Sequence, residues 1–93
     1  MAHRILFTKR AAREYADLPD GPVRELDVAL DHLKEDPFPS GCRKLRGYDR
    51  LWRMRFSGSW RVVYHVGERA ADITVARIFP RALGYERALR GLK

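Results

Sequence analysis

From Leu51 to Tyr64, apolar and polar side chains alternate with a period of two. Trp52, Met54, Phe56, Trp60, Val62 and Tyr64 take one parity, and Arg53, Arg55 and Arg61 take the other. This alternation is the pattern of half-buried strands, and its interruption at Ser57-Gly58-Ser59 predicts a β-hairpin. Cross-strand partners share a face. A loop of Ser57, Gly58 and Ser59 sets Phe56 opposite Trp60, Met54 opposite Val62 and Arg55 opposite Arg61. A loop shorter by one residue would set Arg55 against Trp60 and mix the two faces.

The flanking patterns predict the other elements. Arg4 to Phe7 is short and β-prone, with Ile5 and Phe7 on one face. Thr8 is the expected N-cap of a helix from Lys9 to Leu18, which Pro19 ends. Asp20 is expected to cap a second helix, with Gly21 and Pro22 at its start. In that helix Val23, Leu26, Leu30 and Leu33 recur at helical spacing as a buried stripe, and Asp36-Pro37 stops it. The short break from Pro19 to Gly21 predicts an antiparallel helical pair. Residues 37 to 50, with Pro37, Pro39, Gly41 and Gly47, read as a loop. Gly67 to Ala70 is expected to turn into a third strand from Asp72 to Phe79, ended by Pro80. A short C-terminal helix is expected from Ala82 to Leu92, although Gly84 weakens its start.

The order is therefore β-α-α-β-β-β with a last helix. Without βαβ alternation it predicts an α+β fold in one domain, residues 1–93. Two N-terminal helices should pack on one face of an antiparallel sheet of about four strands.

Composition narrows the class. The 93 residues are 45% hydrophobic and 33% charged, as in a globular protein. No apolar run approaches a membrane span, and Met1 to Arg4 opens no signal-peptide core, so a cytoplasmic setting without membrane contact is expected. Cys42 is the single cysteine, which excludes an internal disulfide. It has no neighbours at metal-ligand spacing, so neither a metal nor another cofactor is expected. The formal net charge is +7, unevenly spread. Arg43, Lys44, Arg46, Arg50, Arg53, Arg55 and Arg61 face only Asp49 within their stretch, whereas residues 8–36 are net acidic. A basic block beside an acidic one points to a directed surface for nucleic acid or an acidic partner. Three arginines sharing a sheet face, with no acid between them, point to an anion, and phosphate is the first choice.

The chain resembles the RelE/ParE superfamily of bacterial toxins. The matching residues run from Ala11-Ala12-Arg13-Glu14-Tyr15 and Leu18, through Leu33 and Asp36-Pro37, to Lys44-Leu45-Arg46-Gly47. They continue with Trp52-Arg53-Met54-Arg55 and Trp60-Arg61-Val62-Val63-Tyr64, and end with Pro80-Arg81 and Tyr85. The resemblance implies a compact α+β toxin of a type II toxin–antitoxin system, with a cognate antitoxin as partner. RelE-like members cut mRNA in the ribosomal A site without a metal. ParE-like members poison DNA gyrase and lack the nuclease residues. The RelE-like site has counterparts here at every position: Arg53 and Arg55 on the strand after the loop, Arg61 before Val-Val-Tyr, Arg81 after the last strand, and Tyr85. The nuclease branch is therefore the leading expectation, with mRNA and the ribosome, its rRNA included, as partners. The ParE-like branch is the alternative, and a non-catalytic basic RNA-binding domain is a third.

One departure bears on mechanism. RelE-like enzymes often carry lysines where Arg53 and Arg55 stand. A desolvated lysine can lose its proton, and an arginine essentially cannot. Either electrostatics activates the 2′-OH, or another base serves. His65, with the parity of Arg61, is the candidate. Arg43, Lys44, Arg46 and Arg50 read as contacts to the RNA backbone. Trp52, Trp60 and Tyr64 read as core, Tyr15 as packing, and His3 and His32 as surface.

Overall fold

In a computed structural model the protein is described for residues 3–67 and 72–92. The expected turn from Gly67 to Ala70 lies outside the described residues beyond Gly67. The chain runs β1 (Arg4–Phe7), α1 (Lys9–Ala16), α2 (Asp20–Glu35), β2 (Arg43–Lys44), β3 (Leu51–Phe56), β4 (Trp60–Val66), β5 (Asp72–Pro80), a 3₁₀ turn (Arg81–Leu83) and α3 (Tyr85–Ala88). The sheet order is β1-β5-β4-β3-β2. Its pairs are antiparallel apart from β1, which runs parallel to β5. This is the α+β arrangement expected, with five strands instead of four. The extra strand, β2, lies in the segment read as a loop. Its two residues are too few for a period to register, and its pairing is set by β3 alone.

Thr8 caps α1 as expected, its hydroxyl oxygen accepting from the Ala11 N–H at 3.1 Å. The same hydroxyl donates to the Ala76 carbonyl at 3.1 Å, which fixes α1 against β5. The second cap differs. Pro19 occupies the N-cap of α2 and makes no side-chain bond, while Asp20 is already helical. There its carboxylate still meets the positive end of the helix dipole. Leu26, Leu30 and Leu33 are buried, and Val23 packs against them. The expected C-terminal helix is shorter than read: a 3₁₀ turn, then Gly84 at φ 80°, ψ 151°, then one turn of α3.

The hairpin has the register the faces require: Phe56 opposite Trp60, Met54 opposite Val62, Arg55 opposite Arg61. Ser57 and Gly58 take left-handed φ values of 49° and 74° to close it. Between β4 and β5 a bulge shifts the register, so that Val63 meets Arg77 and Tyr64 meets Val75. A bulge bends a strand and re-aims its side chains.

The larger core lies between the helices and the sheet. It joins Leu26 and Leu33 to Val62, Tyr64, Ile73, Val75 and Ile78, with Trp52, Met54 and Trp60 packed alongside. The Tyr64 hydroxyl donates to the Pro37 carbonyl at 2.9 Å. Burial, with Cys42 and Asp36 nearby, holds this phenol well above the ordinary tyrosine range. The other sheet face is not simply solvated. Val63, Ala76 and Phe79 form a second core there with Leu45, Leu51, Ala88 and Leu89. The C-terminal segment thus roofs part of the arginine face. Among the described residues, no helix is long and apolar enough to cross a membrane.

Candidate functional site

The arginine face is assembled by strand pairing. Arg55 and Arg61 are direct cross-strand partners, and Arg53 precedes Arg55 by two residues on the same face. Arg43 on β2 pairs with Arg53, which extends the basic face toward the sheet edge. Trp60 opposite Pro80 brings the end of β5 to the hairpin loop. There the Arg81 N–H donates to the Ser59 carbonyl at 2.6 Å. Glycine at position 84 then allows a backbone conformation closed to other residues, and α3 begins at Tyr85.

Arg53, Arg55, Arg61, Arg81 and Tyr85 line one open cavity of about 430 Å³. Arg55 and Arg81 are exposed, whereas Arg53 and Tyr85 are half-buried. Arg61 lies on the arginine face as expected but is only 6% exposed, so that face is not open at this position. Its Nη1 donates to the carbonyls of Gly58 at 3.2 Å and Trp60 at 3.0 Å. These bonds fix the guanidinium at the closed end of the hairpin. The Arg53 guanidinium lies 5.1 Å from the Tyr85 ring centroid, and its Nη1 donates to the Tyr85 hydroxyl at 3.5 Å. The Tyr85 ring also meets Phe79 edge-on, with centroids 5.3 Å apart. Among the described residues, no carboxylate lies within ion-pair distance of the four arginines in this cavity. Their positive field is therefore left for an outside anion.

Other candidates fall elsewhere. Lys44 and Arg46 line a separate open cavity with Leu45, Gly47, Tyr48 and Asp49. Arg50 is half-buried with a left-handed φ of 58° and passes its carbonyl to the Val66 N–H. His65 has the arginine parity, but it lies opposite Leu51 and Thr74. It lines a different cavity, with Tyr48, Asp49, Leu51 and Leu92. Parity fixes a face, not a position along it, and four residues of strand put His65 about 13 Å from Arg61.

The sequence reading passed over Arg77, which is 2% exposed. It donates to both carboxylate oxygens of Glu14 and to the Ala88 carbonyl. The available signal was one arginine in a strand, Ile73 to Phe79, that is apolar apart from Thr74, since a buried charge requires a partner.

A family model described as the ParE toxin of the type II toxin–antitoxin system parDE matches residues 5–83. The chain belongs to the RelE/ParE superfamily of toxins. A curated relative from Methanocaldococcus jannaschii, named as the toxin RelE1, is 27% identical over 92% of this chain and 98% of its own. Among solved structures, RelE in the archaeal RelE–RelB complex of Pyrococcus horikoshii is 28% identical, with a TM-score of 0.75 over 87% of this chain and 97% of that one. The intact E. coli RelBE toxin–antitoxin complex matches at 25% identity and a TM-score of 0.77, covering 85% of this chain and 96% of that one. A free, doubly substituted E. coli RelE covers all of both chains with a TM-score of 0.81; at 24% identity it speaks for the fold alone. This toxin is thus RelE-like in architecture.

Proposed function

We propose that this toxin is a metal-independent endoribonuclease that cuts mRNA on the ribosome and so stops translation in the cytoplasm. The observation that carries the reading is the convergence of Arg53, Arg55, Arg61, Arg81 and Tyr85 on one cavity. RNA supplies its own nucleophile, the 2′-OH. The protein must align it, stabilise charge on the phosphoryl group and assist the leaving 5′-oxygen. The neighbouring forks of Arg55 and Arg61 suit two non-bridging oxygens. Arg81, on the far rim beside the hairpin loop, suits the leaving oxygen. Tyr85 offers a ring for a base, and its hydroxyl already contacts Arg53. Arg53 cannot serve as general base and His65 lines another cavity, so the arginines' charge would acidify the 2′-OH, whose proton passes to water, while the departing 5′-oxygen takes a proton from water. Arg43, Lys44, Arg46 and Arg50 would steer the RNA backbone. A cognate antitoxin would hold the toxin silent, as antitoxins accompany the RelE chains of the E. coli and P. horikoshii complexes.

Transcript mapping in cells expressing the toxin tests this directly. Codon-phased cuts are expected, and a chelator should leave cleavage unchanged beyond its effect on the ribosome. The ParE-like alternative, a gyrase poison, is not favoured, since the M. jannaschii, E. coli and P. horikoshii relatives carry RelE names. It would give DNA breaks with intact mRNA.

A further inference from the structure

The pair of buried Arg77 and half-buried Glu14 has no direct part in the cavity, yet it is tied to the cavity's tyrosine. Beyond Phe7, strand β1 no longer covers the edge of β5. There the Glu14 carboxylate takes over, accepting from the Ile78 N–H at 2.8 Å. The same carboxylate accepts from Arg77 Nη2 at 2.8 Å and from its Nε. The remaining guanidinium arm donates to the Ala88 carbonyl at the end of α3. Arg77 also lies 5.7 Å from the Phe79 ring, which meets Tyr85 edge-on. Helix α3, Tyr85–Ala88, is a single turn. Isolated helices below about 12 residues are marginal in water, so tertiary anchors must hold this one. Ala88 and Leu89 supply apolar anchoring without direction. The arginine fork supplies direction.

We propose that Arg77, clamped by Glu14, is a positioning residue: it holds α3 so that the Tyr85 ring stays over Arg53 at the mouth of the arginine cavity. It acts through the helix and not on RNA. A buried ion pair is weak evidence for stability, because desolvation offsets much of its attraction. Its value here is a fixed angle between α1, β5 and α3. Lysine cannot replace it, since one ammonium cannot reach a carboxylate and a carbonyl in the two directions of a planar fork.

The kinetic part of the test rests on the nuclease reading, and the spectroscopic part does not. Tyrosine-labelled full-length toxin is compared by NMR as wild type, Arg77→Lys and Glu14→Gln. The Tyr85 ring resonances, assigned with Tyr85→Phe, should move toward random-coil positions in both variants. On ribosome-bound mRNA, Arg77→Lys should lower the saturated cleavage rate about tenfold and shift the half-saturating ribosome concentration by less than about twofold, as expected for misplacement of a reacting group. In a Tyr85→Ala background the same substitution should cost no further rate, whereas a merely structural role would multiply the two losses. Should Arg77→Lys fail to fold, Glu14→Gln gives the same readings. Unmoved Tyr85 resonances in a folded variant, or fully multiplicative losses, overturn the proposal. A wild-type toxin that cuts no ribosome-bound mRNA overturns the nuclease reading instead, and the resonances alone then decide the role of Arg77.

Discussion

Arg55 and Arg61 are neighbours on one face with different surroundings, so their substitution should separate chemistry from stability. Arg55 is exposed. Arg55→Ala should leave the melting temperature nearly unchanged, within about 0.5 kcal/mol, as for surface positions without special contacts. Arg61 is buried and serves two loop carbonyls. Arg61→Ala should destabilise by about 1.5–3 kcal/mol, the range for hydrogen bonds to a charged group. It should also remove roughly a hundredfold in cleavage rate if it stabilises transition-state charge. Thermal denaturation beside a ribosome-bound cleavage assay reads both. A folded Arg61→Ala protein with wild-type toxicity would remove the nuclease reading. Trp60 is half-buried and stacks on Phe56 with centroids 6.2 Å apart. Trp60→Ala should therefore cost about 3 kcal/mol, the low end for aromatic truncation. A protein of normal stability would mean that Trp60 contributes little to the core beneath the hairpin.

At the scale of elements, the C-terminal segment is the vulnerable part. The 3₁₀ turn and α3 are joined through Gly84 at φ 80°, ψ 151°, a region nearly closed to side-chain-bearing residues. A Cβ at Gly84 would meet nothing within 4 Å, so the objection to one is torsional and not steric. Gly84→Ala should cost about 1–3 kcal/mol of local strain. The chain can relieve this by releasing α3, so the expected result is a sharper loss of cleavage than of melting temperature. Hydrogen exchange should show faster exchange at Ala88 and Leu89, whose N–H groups bond to Gly84 and Tyr85 carbonyls. Unchanged exchange there, with full activity, would detach Tyr85 placement from this hinge.

For the whole molecule, the decisive quantity is the charge distribution. The formal net charge is +7, and residues 43–61 carry Arg43, Lys44, Arg46, Arg50, Arg53, Arg55 and Arg61 against Asp49 alone, with Arg43, Arg53, Arg55 and Arg61 on one sheet face by strand pairing. Binding to ribosome or RNA should therefore weaken steeply with salt through counterion release. If Lys44 and Arg46 neutralise phosphates, replacing either with Ala should lower the salt slope by about 0.7–0.9 for each phosphate left unneutralised, with little change in sequence preference. Filter-binding titrations over a salt series measure this. An unchanged slope in both variants would place these residues outside the RNA path. The same face would attract an acidic antitoxin, so salt should slow association of toxin with antitoxin more than it speeds dissociation.

The hairpin, its register and its two faces were legible in the sequence, because a strand's period of two links every residue to a face and a slip exchanges them all. The α1 cap, the α2 stripe and the three hairpin arginines, Arg53, Arg55 and Arg61, were legible for the same local reasons, whereas Arg81 and Tyr85 came from the resemblance to the family. What distance along the chain hides was decided by tertiary structure. Parallel pairing of β1 with β5 joins Arg4–Phe7 to Asp72–Val75. A strand of two residues, β2, exists only because β3 offers an edge. His65 shares a face with Arg61 but not a cavity. The Glu14–Arg77 pair spans 63 positions and arises where one strand ends and a helix carboxylate completes the edge. Local pattern reports which side of an element a residue takes. Which residues meet across elements depends on packing geometry, and here that geometry gathers four arginines and a tyrosine into one cavity.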